Sequence, residues 1–145
     1  MRETDVVNTL FVYGSLRTDT TGGFGRAERV RLHKATRWIG RGALAGTLLD
    51  LGSYPGVFEA PRAGHIVGDV LQLCIPAGSV FKWLDAYEGL SPDGRAGEYK
   101  RVVRSANVDG GTVRCWVYLL RERPRDARVV ASGDWLRPSP RARRR

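Results

Sequence analysis

Two short stretches of the sequence combine residue types that could carry out chemistry. The first is FKWLDAYEGL, residues 81–90, in which Glu88 ends an apolar helical pattern. A carboxylate at the C-terminal end of a helix faces the negative end of the macrodipole, which disfavours its charged form. Trp83 and Tyr87 would partly exclude water from it, and both effects raise the pKa of a carboxyl group. We therefore predict that Glu88 is a general acid–base group working near neutral pH.

A second interpretation of Glu88 is a solvated surface charge, because most glutamates in folded proteins are exposed. Asp85 lies one helical turn earlier and is the other acid of this stretch. The apolar stripe of the helix does not include its position, so we assign Asp85 a structural or capping role.

The second stretch is VYGSL, residues 12–16, where an apolar strand pattern stops at Gly14. N–H groups beyond the end of a strand lack ladder partners, and a glycine lets the chain turn so that several of them converge on one anion. Such a turn suits a carboxylate or an oxyanion, although a strand-ending Gly-Ser is also typical of an ordinary turn. Ser15 is a poor nucleophile candidate, because it lacks the G-x-S-x-G pattern and neither histidine lies near it in sequence.

One predicted helix positions Glu88. Ser79 is expected to cap its start, and Gly89 fits the left-handed position that ends a helix. The apolar residues between them follow the spacing i, i+3, i+4 and i+7 and form one stripe, consisting of Val80, Trp83, Leu84 and Tyr87.

Strands account for most of the remaining pattern. Asp109-Gly110-Gly111 is a hairpin signal, Pro55 marks a short edge strand within 53–59, and residues 25–33 predict a single helical turn. Apolar runs bounded by turn residues predict strands in segments 9–15, 44–52, 65–74, 99–108 and 112–120. The combination predicts an α+β fold, a small mixed β-barrel or curved sheet with one main helix.

The length of 145 residues predicts one domain. We place it at residues 9–136, between an N-terminal tail at 1–8 and a basic, disordered tail at 137–145. The sequence has no apolar run of the roughly 20 residues that span a bilayer, and its N-terminus lacks the apolar region of a signal peptide. We therefore expect a cytoplasmic protein without a membrane partner.

The formal net charge of +9 is concentrated at the C-terminus, where residues 137–145 contain five arginines and no acid, leaving +4 for residues 1–136. A basic tail of this kind adds non-specific affinity for polyanions. Aromatic residues are dispersed rather than interleaved with Lys and Arg, so a nucleic-acid partner is not expected beyond such contacts.

Cysteine and histidine usage predicts no metal site. His33 and His65 lie far apart and neither has a Cys or His partner nearby. Cys74 and Cys115 lie in apolar, strand-like stretches and are predicted to be small buried thiols.

Several motifs in a fixed order add a family resemblance to this picture. The chain resembles the γ-glutamylcyclotransferase, or AIG2-like, family, and within it the γ-glutamylamine cyclotransferase-like branch. The motifs that carry the resemblance are FVYGSL at 11–16, SYPG at 53–56, IVGDVLQL at 66–73, LDAYEG at 84–89, EYKR at 98–101 and WVYLL at 116–120.

The resemblance implies an enzyme that releases 5-oxoproline and a free amine from a small γ-glutamyl compound without a cofactor. Glu88 would take a proton from the α-amino group, whose nitrogen attacks the γ-carbonyl of the same molecule, and would return it to the departing amine. The turn formed by Tyr13, Gly14, Ser15 and Leu16 would hold the γ-glutamyl group.

Three points stay open at this level. The insert SPDGRAG, residues 91–97, lies between Glu88 and Tyr99 and makes the placement of Tyr99 in the pocket uncertain. Arg101 is either a pocket cation or a surface strand residue. The alternative to an enzyme is a non-catalytic domain of the same fold that binds a small anionic metabolite.

Overall fold

The computed structural model describes residues 7–60 and 64–137, which contain eight strands and two helices. The helices are α1 (Arg26–Lys34) and α2 (Ala77–Tyr87). The strands are β1 (Thr9–Val12), β2 (Thr36–Ala45), β3 (Thr47–Asp50), β4 (Pro55–Phe58), β5 (His65–Leu73), β6 (Tyr99–Val108), β7 (Gly111–Leu120) and β8 (Arg128–Val129).

Five strands close into a barrel in the order β1-β5-β2-β6-β7. Neighbours are antiparallel except β1 and β7, whose parallel pairing at Leu10 and Trp116 closes the barrel. Asp109 and Gly110 join β6 to β7 with positive φ values of 51° and 80°, as in a type I′ hairpin. The predicted mixed α+β barrel and its hairpin are confirmed.

A smaller sheet with the order β4-β3-β8 packs on the barrel through β4 and β7. The two strands approach so closely that a Cβ on Gly56 would lie 2.6 Å from the side chain of Leu120. Pro55 begins β4, which is an edge strand, as the sequence predicts. This packing brings Pro55 beside the turn that follows β1.

The C-terminal end of α2 has the expected glycine. Gly89 has φ 83°, and its N–H donates to the Ala86 carbonyl at 3.0 Å while that of Leu90 donates to the Asp85 carbonyl at 2.9 Å. These two bonds form a Schellman motif, and Glu88 is therefore fixed as the C-cap residue of the helix.

The start of α2 differs from the prediction that Ser79 caps it. The helix begins at Ala77 after Pro76, and no side chain caps its first turn. Ser79 lies inside that turn, where its N–H donates to the Pro76 carbonyl at 2.9 Å. Proline is tolerated here because the start of a helix has no intrahelical acceptor for its missing N–H.

Two elements are longer than predicted. α1 has nine residues rather than a single turn, and β2 was missed from Thr36 to Ala43. Gly40 and Gly42 interrupt the strand pattern of β2, yet the barrel requires Gly42, since a Cβ there would lie 3.0 Å from the carbonyl oxygen of Asn107. A glycine in a strand often marks such a close backbone approach.

The two cysteines differ in environment. Cys115 is buried, as predicted, whereas Cys74 is exposed, and both are free thiols. The prediction for Cys74 is wrong because the residue lies just after the last residue of β5, beyond the paired part of the sheet.

Most of the predicted tails lies outside the described residues. Of the N-terminal tail, Val7 and Asn8 are described, and their carbonyls accept hydrogen bonds from Trp116 Nε1 and from the Leu73 N–H. Arg137 is the described residue of the basic tail, and its guanidinium lies 3.4 Å from a carboxylate oxygen of Asp19. Within residues 7–60 and 64–137, neither helix has the length and apolar character to cross a membrane. The cytoplasmic location stays a prediction.

Candidate active site

A cavity of about 340 Å³ lies where the end of β1, the end of α2 and the start of β6 meet. All the residues predicted for the site contribute to its wall, although they come from three separate parts of the chain. They are Tyr13, Gly14, Ser15, Leu16, Glu88 and Tyr99.

Glu88 enters the cavity wall as the C-cap of α2, with its own N–H donating to the Leu84 carbonyl at 2.9 Å. The residue as a whole is partly exposed, but burial of its carboxyl raises the pKa to about 7, and the negative charges of Asp85 and Glu98 act in the same direction. No described residue hydrogen-bonds to this carboxyl group. Near neutral pH Glu88 can therefore both accept and release a proton.

The turn after β1 presents unpaired donors to the same cavity. Among the described residues, none accepts a hydrogen bond from the N–H groups of Gly14, Ser15 and Leu16. Gly14 and Ser15 are half-buried and Leu16 is buried. A buried N–H group without an acceptor is rare in proteins, so these consecutive donors form a candidate anion-binding site.

The carbonyls of the turn are held on the opposite side of the chain. Arg29 Nη1 donates to the Ser15 carbonyl at 3.0 Å, His33 Nε2 lies 3.1 Å from the Leu16 carbonyl, and the Arg17 N–H donates to the Gly14 carbonyl at 3.1 Å. In a trans peptide the C=O and N–H groups point in opposite directions. Because the Ser15 carbonyl and the Leu16 N–H belong to one peptide, the Leu16 N–H is thereby directed away from Arg29 of α1.

Arg29 and His33 are positioning residues that the sequence analysis missed. Arg29 is 8% exposed, and it also donates to the carbonyls of Phe24 at 3.3 Å and Gly22 at 3.1 Å. The available signal was that Arg29 and Leu32 are spaced i, i+3 and share one face of α1. Because the sequence analysis predicted only a single helical turn here, it did not place Arg29 and Leu32 on a common helix face.

Glycines are required beside the turn for steric reasons. A Cβ on Gly14 would lie 3.0 Å from the ring of Pro55. Gly25, with φ 70°, lies against the Ser15 and Tyr87 hydroxyls, which are 3.5 Å apart. Gly14 thus allows close packing against Pro55 of β4, and its φ is not in the left-handed region on which its prediction was based.

Tyr13 and Tyr99 contribute to the cavity wall, and their hydroxyls form hydrogen bonds with backbone groups. Tyr13 Oη donates to the Tyr118 carbonyl at 2.6 Å and accepts from the Val57 N–H at 3.3 Å. Tyr99 Oη donates to the Pro55 carbonyl at 2.6 Å. Burial raises the pKa of both phenols above the ordinary value, so both remain neutral donors that fix the wall in place.

The insert at residues 91–97 does not displace Tyr99 from the cavity. The Ser91 N–H donates to the Ala96 carbonyl at 2.9 Å, and Ser91 Oγ donates to Asp93 Oδ1 at 2.6 Å. Because these bonds close the insert into a compact loop, β6 begins at Tyr99 with its ring facing the site.

Asp85 and Arg101 form a bidentate ion pair beside the cavity. Arg101 Nε and Nη2 lie 2.8 Å and 3.1 Å from the two carboxylate oxygens of Asp85, and Tyr118 Oη donates to Asp85 Oδ1 at 2.6 Å. The Arg101 guanidinium also stacks on Phe81 at 4.0 Å and on Trp116 at 4.7 Å. Arg101 is therefore a packing and ion-pair residue rather than a pocket cation.

For the outer part of the wall, the sequence predicted only the loop segments 17–27, 53–63 and 91–98 and no individual residue. This part consists of Phe24, Tyr54 and Glu98, with Tyr54 Oη donating to Glu98 Oε1 at 2.9 Å. Tyr118 also lines the cavity, although the sequence predicted it only as part of a strand. In the described part of the chain, no three His, Cys, Asp or Glu residues are placed to hold a metal ion.

Comparison with known proteins identifies the family pattern. The family model described as gamma-glutamyl cyclotransferase, AIG2-like, matches residues 10–137. No protein with a curated description matches the chain significantly.

Solved structures share the fold. An aig2-like protein (ggact) from Mus musculus has a TM-score of 0.63 and 21% identity, over 91% of this chain and 84% of its own. YtfP from Escherichia coli has a TM-score of 0.57 and 26% identity, over 88% of this chain and 96% of its own. YkqA from Bacillus subtilis has a TM-score of 0.62 and 22% identity over 88% of this chain, which spans only 39% of that protein.

Proposed function

Because this chain belongs to the γ-glutamyl cyclotransferase, AIG2-like family, we propose that it is an enzyme releasing 5-oxoproline and a free amine from a small γ-glutamyl compound. One observation carries the proposal. The unpartnered Glu88 carboxyl, with its pKa raised to about 7, lines the same cavity as the unpaired N–H groups of Gly14, Ser15 and Leu16.

Binding uses the turn after β1. The N–H groups of Gly14, Ser15 and Leu16 donate hydrogen bonds to the α-carboxylate of the γ-glutamyl group, because consecutive backbone donors complement an anion. The rings of Tyr13 and Tyr99 lie along the same wall and exclude water from the γ-glutamyl chain. This arrangement holds the α-amino group and the γ-carbonyl of one molecule together, so that the attack is intramolecular.

The chemical step needs one proton carrier. The α-ammonium group of the substrate first releases one proton to solvent. As the resulting amine nitrogen attacks the γ-carbonyl carbon to form a five-membered ring, the Glu88 carboxylate takes a second proton from it, which leaves the single N–H of the lactam. The protonated Glu88 then gives its proton to the nitrogen of the departing amine as the bond from that nitrogen to the γ-carbon breaks. The products are 5-oxoproline and the amine, and Glu88 returns to its starting state without a cofactor.

Incubation with a panel of γ-glutamyl amino acids and γ-glutamyl amines, followed by mass spectrometry of 5-oxoproline, tests this proposal. We expect release from at least one compound, and release at least about 10²-fold slower from a Glu88→Gln variant. Release from no compound, together with retained binding of a γ-glutamyl ligand, would instead favour the non-catalytic domain. The cytoplasmic location and the small-molecule partner are parts of the same proposal.

A further inference from the structure

The charged side chains in the cavity wall are all acidic. Among the described residues that line it, Glu88 and Glu98 carry negative charge, and no Lys, Arg or His is present. If the amine half of a substrate carried a carboxylate, that group would therefore meet two carboxylates and no compensating cation within the wall.

Glu98 is held at the outer end of the cavity. The residue is exposed, and Tyr54 Oη donates to its Oε1 at 2.9 Å. This hydrogen bond fixes the carboxylate toward the opening. The nearby Arg121 directs its guanidinium elsewhere, with Nε donating to the Tyr99 carbonyl at 3.1 Å and Nη2 to the Gly94 carbonyl at 2.7 Å.

Aromatic rings surround the same opening. Phe24 lines the cavity and is 56% exposed, although exposing an apolar ring to water does not stabilise a fold. An aromatic face attracts cations through its quadrupole. Phe24 and Tyr54 supply two such rings to the cavity wall that contains the Glu98 carboxylate. Both kinds of group favour a positively charged ligand.

We infer that Glu98, fixed by Tyr54, is a specificity-determining residue that favours substrates whose amine half carries a second positive charge and disfavours those with a carboxylate. The inference rests on the proposed function, since that function assigns the γ-glutamyl half to the inner turn and to Glu88. The amine half then extends toward the opening, where Glu98 lies.

Three synthetic substrates of matched length test this inference. They are the mono-γ-glutamyl derivatives of 1,4-diaminobutane, butylamine and 4-aminobutyrate, whose amine halves end in a positive, a neutral and a negative group. We expect kcat/KM to fall in that order. In Glu98→Gln, the ratio between the cationic and anionic substrates should shrink about fivefold to tenfold, which is the effect expected of an exposed charge acting on two opposite charges.

Normalisation to the neutral butylamine derivative removes any change that Glu98→Gln causes at Glu88. Glu122→Gln is the matched control, because Glu122 is exposed and lies outside the cavity wall. It makes the same change in net charge and should leave the ratio unaltered. Tyr54→Phe, which releases Glu98 without removing its charge, should reduce the ratio to an intermediate value.

The outcomes separate the two proposals. If none of the three derivatives nor any member of the broader panel yields 5-oxoproline, the proposed function itself is wrong. If they turn over without a charge preference in the wild type, or if Glu98→Gln and Glu122→Gln change the ratio equally, the role of Glu98 is wrong while the function stands.

Discussion

At the scale of single residues, the site depends on two acids with different partners. Asp85 is held by Arg101 and Tyr118, whereas no described residue bonds to the Glu88 carboxyl. The negative charge of Asp85 is one cause of the raised pKa of Glu88. The site thus places one carboxylate that is bound by Arg101 and Tyr118 beside another that must exchange a proton.

Asp85→Asn should lower the pKa of Glu88, because a like charge is removed. The acidic limb of the kcat/KM profile, which follows the deprotonation of Glu88, should then move to lower pH, while turnover on the plateau changes little. The loss of charged hydrogen bonds to Arg101 and Tyr118 should also lower the free energy of unfolding by about 1–3 kcal/mol. A pH–rate profile and urea denaturation check both expectations, and an acidic limb that stays in place would contradict the first.

Glu88→Gln should stabilise the protein at alkaline pH. A carboxyl whose pKa is raised from 4.5 to about 7 in the folded state binds more protons there than in the unfolded state, so its stability contribution falls as pH rises through that window. Gln has no charge to bury. We expect the variant to exceed wild type by about 1–3 kcal/mol at pH 8, against little difference at pH 4. If the variant and the wild type were equally stable at pH 8 as well as at pH 4, Glu88 would instead be a solvated carboxylate.

The sequence identified Glu88 as the acid–base candidate but accounted for only some of the causes that raise its pKa. The helix end and the glycine after it could be predicted, because they depend on local backbone preferences. The contribution of Glu98 could not, since Glu98 reaches the cavity only through the compact loop at 91–97. Burial by Tyr13, Tyr99 and neighbouring residues depends on barrel closure in the same way.

At the scale of elements, α1 supports the turn that follows β1. Arg29 and His33 bind the carbonyls of Ser15 and Leu16, so the conformation of the turn, and with it the orientation of the unpaired Leu16 N–H group, depends on this helix. The sequence predicted only one helical turn here, because its many charges hide the short apolar face, where Leu32 is buried. β2 was hidden by Gly40 and Gly42, which resemble turn residues but serve close packing.

Arg29→Lys should weaken substrate binding more than it slows chemistry. A lysine ammonium is a single point donor and cannot reproduce the planar fork that bonds three carbonyls. We expect KM to rise about tenfold, which corresponds to the loss of one hydrogen bond of ordinary strength to a charged group, with a smaller change in kcat. Arg26→Lys, on the exposed side of the same helix, is the matched control. A fall in kcat at constant KM would contradict a role in positioning the anion site.

At the scale of the whole molecule, the segment that follows β7 packs against the end of the turn after β1. Arg17 follows the turn directly, is fully buried, and donates from Nη1 to Asp134 Oδ1 at 2.7 Å. Next to Asp134, Gly133 accepts the Val67 N–H at 2.8 Å, so this segment is tied to the barrel as well. The contact between Arg17 and Asp134 joins residues 117 positions apart, and no local pattern in the sequence predicts contacts of this range.

Asp134→Ala should destabilise the fold strongly, because it leaves the buried Arg17 charge without its closest partner. Breaking a buried ion pair from one side typically costs about 3–5 kcal/mol. The measurement is the free energy of unfolding in urea, with Asp126→Ala at an exposed position as the control. A loss no greater than that of the control would show that Arg17 does not depend on Asp134.

The most direct test of the account is the turnover of Glu88→Gln on the best γ-glutamyl substrate, with binding and folding measured on the same preparation. Gln keeps the size of the side chain but cannot carry a proton. We predict that kcat falls by at least about 10²-fold and approaches about 10⁴-fold, because one group serves both proton transfers, while the ligand still binds. A variant that retains more than about a tenth of wild-type kcat, less than the smallest effect expected of a general acid–base group, would contradict the role of Glu88 and the mechanism built on it.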